Sequence, residues 1–176
     1  AMGDVFVARD RSLRRGVAFK TLKPALAARL VNRFVKEVQI TAQLDHPGVV
    51  PVYGLEVTGD GAVAYAMKLV HGKELAAVIR EARALLDAGT PLDAEHSRER
   101  RIEQLLCVCD AVAFAHDKGV LHRDLKPANI MVGRFGEVYL MDWGIARLRS
   151  STADGDAPDD GEAIDLADYQ RVGKMT

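Results

Sequence analysis

The chain has 176 residues, 48% of them hydrophobic, with a formal charge of −1 and two cysteines. That length and apolar content are enough to bury a core, which excludes disordered and fibrous classes, and the near-zero charge gives no bulk attraction for nucleic acid or an anionic membrane. No apolar run approaches the roughly eighteen residues of a membrane span, the N-terminus lacks a signal-peptide pattern, and so few cysteines fit a reducing, cytoplasmic compartment rather than a disulfide framework.

Residues 2–10 read as a turn at Gly3 running into a strand. Residues 11–16 form a polar turn and 17–22 a short strand, which Lys23-Pro24 ends because proline cannot donate to a sheet ladder. Over residues 25–44 the apolar spacing is helical, with Leu30, Phe34, Val38 and Thr41 near one face and Glu37 on the same helix. His46-Pro47-Gly48 stops it, and residues 49–53 open a strand. Gly59-Asp60-Gly61 supplies turn chemistry for a hairpin returning through residues 63–69. A run of helix formers over residues 74–88 stops at Gly89-Thr90-Pro91. A second helix, residues 97–118, spaces Ile102, Leu105, Leu106, Cys109, Val112 and Ala113 for a buried stripe and ends at Gly119. Cys107 and Cys109 stand about 200° apart around that helix axis, which favours two buried free thiols over a shared metal. His116 reads as a helix-end histidine, and His71 and His96 carry no signal.

Val120-Leu121 then leads into His122-Arg123-Asp124-Leu125-Lys126-Pro127-Ala128-Asn129, and Ile130-Met131-Val132 leaves it as a strand. Residues 133–136 turn, and 137–141 form a strand running into Asp142-Trp143-Gly144. A proton acceptor, a phosphate-binding lysine, an amide and a second carboxylate thus fall within about twenty residues. Phosphoryl transfer from a nucleotide needs that set: charge neutralisation on the phosphates and a carboxylate to orient the attacking hydroxyl. A carboxylate and an amide oxygen are the hard ligands that magnesium prefers.

The first run matches the catalytic loop H-R-D-x-K-x-x-N, the second is D-F-G with Trp for Phe, and Val17-Ala18-Phe19-Lys20 matches V-A-I-K. On these residues the chain resembles the protein kinases, and more closely the bacterial Ser/Thr kinases of eukaryotic type. The resemblance implies an α+β, two-lobed protein-kinase-like fold that is incomplete. Residues 1–70 would form a partial N-lobe, with the end of a glycine-rich loop, a sheet and one helix. Residues 71–176 would form a partial C-lobe, with helices, the catalytic loop and the start of an acidic activation segment. Of G-x-G-x-x-G-x-V only the last glycine stands, as Gly3, and the resemblance implies an A-P-E-like motif just where Thr176 ends the sequence. The expectation is about two thirds of a domain of roughly 250 to 300 residues, weakly stable and nearly inactive by itself.

The resemblance also implies ATP and Mg²⁺ as cofactors. Lys20 would hold the α- and β-phosphates and pair with Glu37, Asp124 would orient the substrate hydroxyl, and Lys126 would steady the γ-phosphate. Asn129 and Asp142 would hold Mg²⁺. Gly3 would cover the phosphates, with Val5, Ala18 and Met131 sandwiching adenine. Met67 would guard the back of the pocket, and Lys68, Leu69 and Val70 would form the hinge. Lys68 stands where many relatives carry an acidic residue, which alters the electrostatics on the ribose side. Thr41, Val52, His122 and Trp143 would stack as a column, the tryptophan bringing an N–H that wants a partner. Arg123 would bind a phosphorylated residue of the activation segment, with Ser150, Ser151 and Thr152 as candidates, or the acidic run from Asp154 to Asp168 in its place.

The implied activity is transfer of the ATP γ-phosphoryl group to a protein Ser or Thr hydroxyl, since Lys126 two residues after Asp124 is the Ser/Thr pattern. The implied partners are a protein with a Ser/Thr acceptor and, for autophosphorylation, a second copy of the chain. Neither nucleic acid nor membrane contact is implied for this segment, whatever anchor a longer parent carries. Two other readings stay open: a non-catalytic nucleotide-binding or scaffold module, and a small-molecule phosphotransferase.

Overall fold

The computed structural model describes residues 3–22, 28–57, 62–143 and 147–148. Strands β1 (Gly3–Asp10) and β2 (Arg15–Leu22) pair antiparallel around a turn closed by its own sequence. The Asp10 carboxylate there accepts from the backbone N–H groups of Ser12 and Leu13 at 3.1 and 3.0 Å, a local bond that only a short polar side chain can make. Strands β3 (Val52–Val57) and β4 (Val63–Lys68) complete a four-stranded antiparallel sheet in the order β1-β2-β4-β3. Its register sets Ala18 opposite Met67 and Lys20 opposite Tyr65, so the two-residue period of the strands puts all four on one face. Helix α1 (Ala28–Gln43) lies over that face.

A second layer follows. Short strands β5 (Gly72–Glu74), β7 (Ile130–Gly133) and β8 (Val138–Leu140) form a sheet in the order β5-β7-β8. Helices α2 (Leu75–Asp87) and α3 (Arg98–Asp117) accompany it. Strand β6 (Val120–Leu121) pairs with β9 (Arg147–Leu148). Helix α3 begins where Ser97 Oγ accepts the Arg100 N–H at 3.2 Å, a cap worth about 1 kcal/mol. It ends at Gly119, whose φ of 75° is the left-handed conformation that stops a helix cheaply only in glycine.

Two apolar cores result, and α1 contributes to both. Phe34, Val35 and Val38 pack with Leu22, Val63 and Met67 under the first sheet. Ile40, further along the helix, and Leu44, just past its end, pack with Val108, Leu140 and Trp143 in the second core. Among the described residues no helix is long and apolar enough to cross a membrane.

Three expectations are corrected. Helix α3 buries Gln104, Val108, Ala111 and Ala115, while Ile102, Leu105 and Leu106 are 49%, 51% and 60% exposed. Val112 packs at the edge of the core, and Ala113 is exposed. The helix is apolar on more than one side, so spacing alone does not choose its inner face. The small alanines win because they let the helix approach β6 and β8 closely. Cys107 and Cys109, expected to be buried, are accordingly both exposed. The third strand starts at Val52 instead of Val49. Val49 makes an isolated parallel bridge to Leu140, whose N–H donates to the Gly48 carbonyl at 2.7 Å. The expected turn at residues 59–61 and the strand end at Lys23-Pro24 lie outside the described residues.

Candidate active site

The loop between β6 and β7 is pinned from beneath by His122, which is 2% exposed. Its Nε2 donates to the Met141 carbonyl at 2.9 Å, and its Nδ1 accepts the Asp124 N–H at 3.3 Å. Only the neutral Nε2–H tautomer satisfies both bonds, and burial correspondingly holds the imidazole below its ordinary pKa. The Met141 N–H in turn donates to the Asn129 carbonyl at 2.8 Å, so the loop and the segment after β8 are stitched from both sides. Each segment carries a left-handed non-glycine residue, Arg123 at φ 68° and Asp142 at φ 61°. Such backbone costs on the order of 1–3 kcal/mol per residue, and here it aims the neighbouring side chains into one space.

At the centre stands Asp124. Its Oδ2 receives Lys126 Nζ at 2.6 Å and Asn129 Nδ2 at 3.0 Å, and Asn129 Nδ2 also donates to the Asp124 carbonyl at 2.9 Å. The 3-10 turn Pro127–Asn129 brings Asn129 back over the aspartate, closed by the Asn129 N–H donating to the Lys126 carbonyl at 2.9 Å. The lysine ammonium first, then the asparagine amide, hold the Asp124 carboxyl below its usual range, and the carboxylate raises the Lys126 ammonium. Asp124 is therefore an ionised acceptor. With its NH₂ committed to Asp124, Asn129 turns its amide oxygen the other way.

Across from the loop, β2 and α1 deliver a buried ion pair. Lys20 Nζ lies 2.7 Å from Glu37 Oε1 and 3.8 Å from Asp142 Oδ1. Glu37 is 2% exposed, and Tyr65 on β4 adds a third member by donating its hydroxyl to Glu37 Oε1 at 3.3 Å. The sequence expectation did not include Tyr65. Its signal was the register of β2 against β4, which a single sequence does not give.

The residues expected around a nucleotide sit as follows. Gly3 and Val5 lie on β1, and a side chain at Gly3 would meet the Thr21 carbonyl oxygen at 2.1 Å. That contact gives the glycine a reason in strand pairing alone. Val5 is 57% exposed and opposes Lys20, while Ala18 and Met67 are buried neighbours across β2 and β4. Leu69 and Val70 follow β4 half-buried, and Met131 pairs with Tyr139 on the second sheet. Lys68 turns towards the second sheet. Its ammonium donates to the Tyr139 hydroxyl and lies 4.7 Å from the centre of that ring, a hydrogen bond that raises its pKa. Its charge is directed to β8.

Of the expected column, the His122 and Trp143 rings meet at 4.5 Å between centroids. Thr41 is buried, with its hydroxyl donating to the Glu37 carbonyl at 2.7 Å, and Val52 opposes Met67. Trp143 is 1% exposed, and its Nε1 has no partner among the described residues. Arg123 is exposed. Its expected partners, Ser150, Ser151, Thr152 and the acidic run to Asp168, lie outside the described residues.

Comparison with known proteins bears on the same segments. The family model described as the protein kinase domain matches residues 1–159. The serine/threonine-protein kinase PknD of Protochlamydia amoebophila is 40% identical over 150 residues, 84% of this chain and 15% of that protein. PknD of Chlamydia trachomatis is 40% identical over 147 residues, 82% of this chain and 16% of that protein. PknD of Chlamydia caviae is 35% identical over 155 residues, 87% of this chain and 17% of that protein. The chain thus spans less than a fifth of the length of the curated relatives it matches. A family match of that extent settles the kinship: the chain belongs to the protein kinase domain family.

Proposed function

We propose that this chain is the catalytic segment of an ATP-dependent protein serine/threonine kinase, with residues 1–70 as N-lobe and 71–176 as the start of the C-lobe. The observation that carries the reading is Asp124, ionised and held by Lys126 and Asn129, within a fold that also gathers Lys20, Glu37 and Asp142. In this reading Asp124 accepts a hydrogen bond from a Ser or Thr hydroxyl and orients its oxygen. That oxygen gives up its proton to Asp124 and bonds to the γ-phosphorus as the bond to the β,γ-bridging oxygen breaks and ADP leaves. Lys20, fixed by Glu37, holds the α- and β-phosphates, and Lys126 turns from Asp124 towards the γ-phosphate as charge spreads onto its oxygens. Val5, Ala18, Met67 and Met131 offer apolar surface to adenine, Gly3 lies at the phosphate end, and the backbone of Lys68, Leu69 and Val70 supplies the hinge.

The donor set suits Mg²⁺. Asn129 presents an amide oxygen because its NH₂ is engaged, and the Asp142 side chain is 44% exposed. Among the described residues no cluster of three or more His, Cys, Asp or Glu forms a closed metal cage. Two oxygen ligands completed by water and phosphate are the usual magnesium arrangement. When bound, the ion would neutralise phosphate charge.

The partner this reading implies is a protein with a Ser or Thr acceptor. The test is transfer from Mg·ATP to a generic protein acceptor by the full-length protein, beside Asp124→Asn. Transfer falling by about 10²–10⁴-fold in the variant, with nucleotide affinity kept, is the expected result. Nucleotide binding without transfer in the unsubstituted protein would favour a scaffold, and transfer only to an aminoglycoside or choline would favour a small-molecule phosphotransferase.

A further inference from the structure

Tyr65 and Lys20 oppose each other across β4 and β2, so their side chains leave the same face of the sheet. Helix α1 covers that face with Phe34 and Glu37, three residues apart and so one above the other. The Tyr65 ring packs tilted on Phe34 at 5.3 Å between centroids, and the Lys20 ammonium lies 5.7 Å from its centre. Its hydroxyl reaches Glu37 Oε1 at 3.3 Å, the oxygen that Lys20 meets at 2.7 Å. Glu37 Oε2 is buried with no partner among the described residues.

The carboxylate therefore depends on two donors at a single oxygen. One of them, Lys20, also faces Asp142 at 3.8 Å. The other, Tyr65, is a fixed donor. Burial first, then the neighbouring Glu37 charge, push the phenol above its ordinary pKa, so it keeps its proton at any working pH.

We infer that Tyr65 is a positioning residue for phosphoryl transfer, acting through Glu37: its hydroxyl holds the carboxylate turned towards Lys20 while its ring seats α1 on the sheet. The assignment rests on the kinase reading above. It separates two functions of one side chain, since phenylalanine keeps the ring contact and loses only the hold on Glu37.

A double-mutant cycle in the full-length protein tests it, with Tyr65→Phe made alone and together with Glu37→Met. Both kcat/KM for Mg·ATP and Mg·ATP affinity are measured. Tyr65→Phe alone is expected to lower kcat/KM by about 5- to 10-fold, the size of one ordinary hydrogen bond. In the Glu37→Met background the same substitution should change kcat/KM by less than about 2-fold. Equal losses in both backgrounds would assign Tyr65 to packing, and unchanged kinetics in the single variant would remove any role; either result overturns the proposal. If the unsubstituted protein transfers no phosphate, the kinase reading falls. The same cycle read in Mg·ATP affinity then still decides whether Tyr65 acts through Glu37, and an absent coupling there overturns it.

Discussion

Replacing Lys20 and Glu37 singly and together separates what the ion pair does for stability from what it does for chemistry. The two side chains are 11% and 1% exposed, so neither charge can recover much hydration when its partner goes. Removing one member of such a pair costs about 3–5 kcal/mol. Lys20→Met belongs at the upper end, because it leaves the Glu37 carboxylate with the Tyr65 hydroxyl as its one remaining donor. Glu37→Met belongs at the lower end, because Lys20 keeps Asp142 at 3.8 Å. Carrying both substitutions removes both charges and fills the space with apolar side chains of similar length. What remains unpaired is the Tyr65 hydroxyl, a cost of about 1–3 kcal/mol. The double variant should therefore be more stable than either single one, although the single losses sum to about 8 kcal/mol. Urea unfolding reads this directly as a recovered midpoint at unchanged slope. Phosphate transfer, measured in parallel, should fall steeply in all three variants, with a residual rate still measurable in Glu37→Met. Losses that add within about 0.5 kcal/mol would show the two charges to be independent and refute the argument.

Two further predictions rest on single side chains. Trp143 is buried with an unpartnered indole N–H; Trp143→Phe removes that orphan, worth about 1–3 kcal/mol, against about 1–2 kcal/mol for the smaller ring. Equilibrium unfolding should find this variant near neutral, whereas Trp143→Ala should cost about 3–5 kcal/mol, and a Phe variant as damaged as Ala would mean the N–H is satisfied. His96 joins the α2–α3 connection to α2, its Nδ1 2.7 Å from Asp93 and its Nε2 3.3 Å from Glu81, which also binds Lys73 at 2.7 Å. The bond to Asp93 raises its pKa, with Glu81 and the charge of Glu95 acting the same way. A raised folded pKa means the contribution is complete below the ordinary histidine value and lost as pH rises through the folded one. Melting temperature should accordingly fall as pH rises above the ordinary histidine range, and a His96→Asn variant showing the same fall would remove the assignment.

Much of the site was legible because its residues are local in sequence. Asp124, Lys126 and Asn129 lie within one loop, and their hydrogen bonds join residues two and five apart. Lys20 and Glu37 are more distant, yet a strand and a helix that each bury one face leave few ways to orient them. Legibility failed where a partner came from another strand or helix. Tyr65 meets Glu37 only through the register of β2 and β4, and Tyr139 meets Lys68 across seventy-one positions. His96 gave no signal because its carboxylates come from two different elements. Helix α3 failed for another reason: with Ile102, Leu105 and Leu106 on one side and Val108, Ala111 and Ala115 on another, size and fit chose the inner face.

Helix α1 explains why a buried carboxylate can be held at a functional angle at all. Phe34, Val35 and Val38, at 0%, 0% and 3% exposure, seat the helix on the sheet, and Ile40, with Leu44 just past the helix end, packs into the other core. Fully burying such side chains is worth about 1.5–3 kcal/mol each, so the three residues on the sheet side outweigh any single polar bond. Apolar burial therefore decides that α1 lies on the sheet, and it does so without regard to which way Glu37 turns. Orientation is left to the two donors at Oε1. The residues that dominate stability and those that set the chemistry are thus neighbours on one helix with separable energies. Substitutions in the apolar set should move the unfolding midpoint, and those in the polar set the angle of a carboxylate that stays buried.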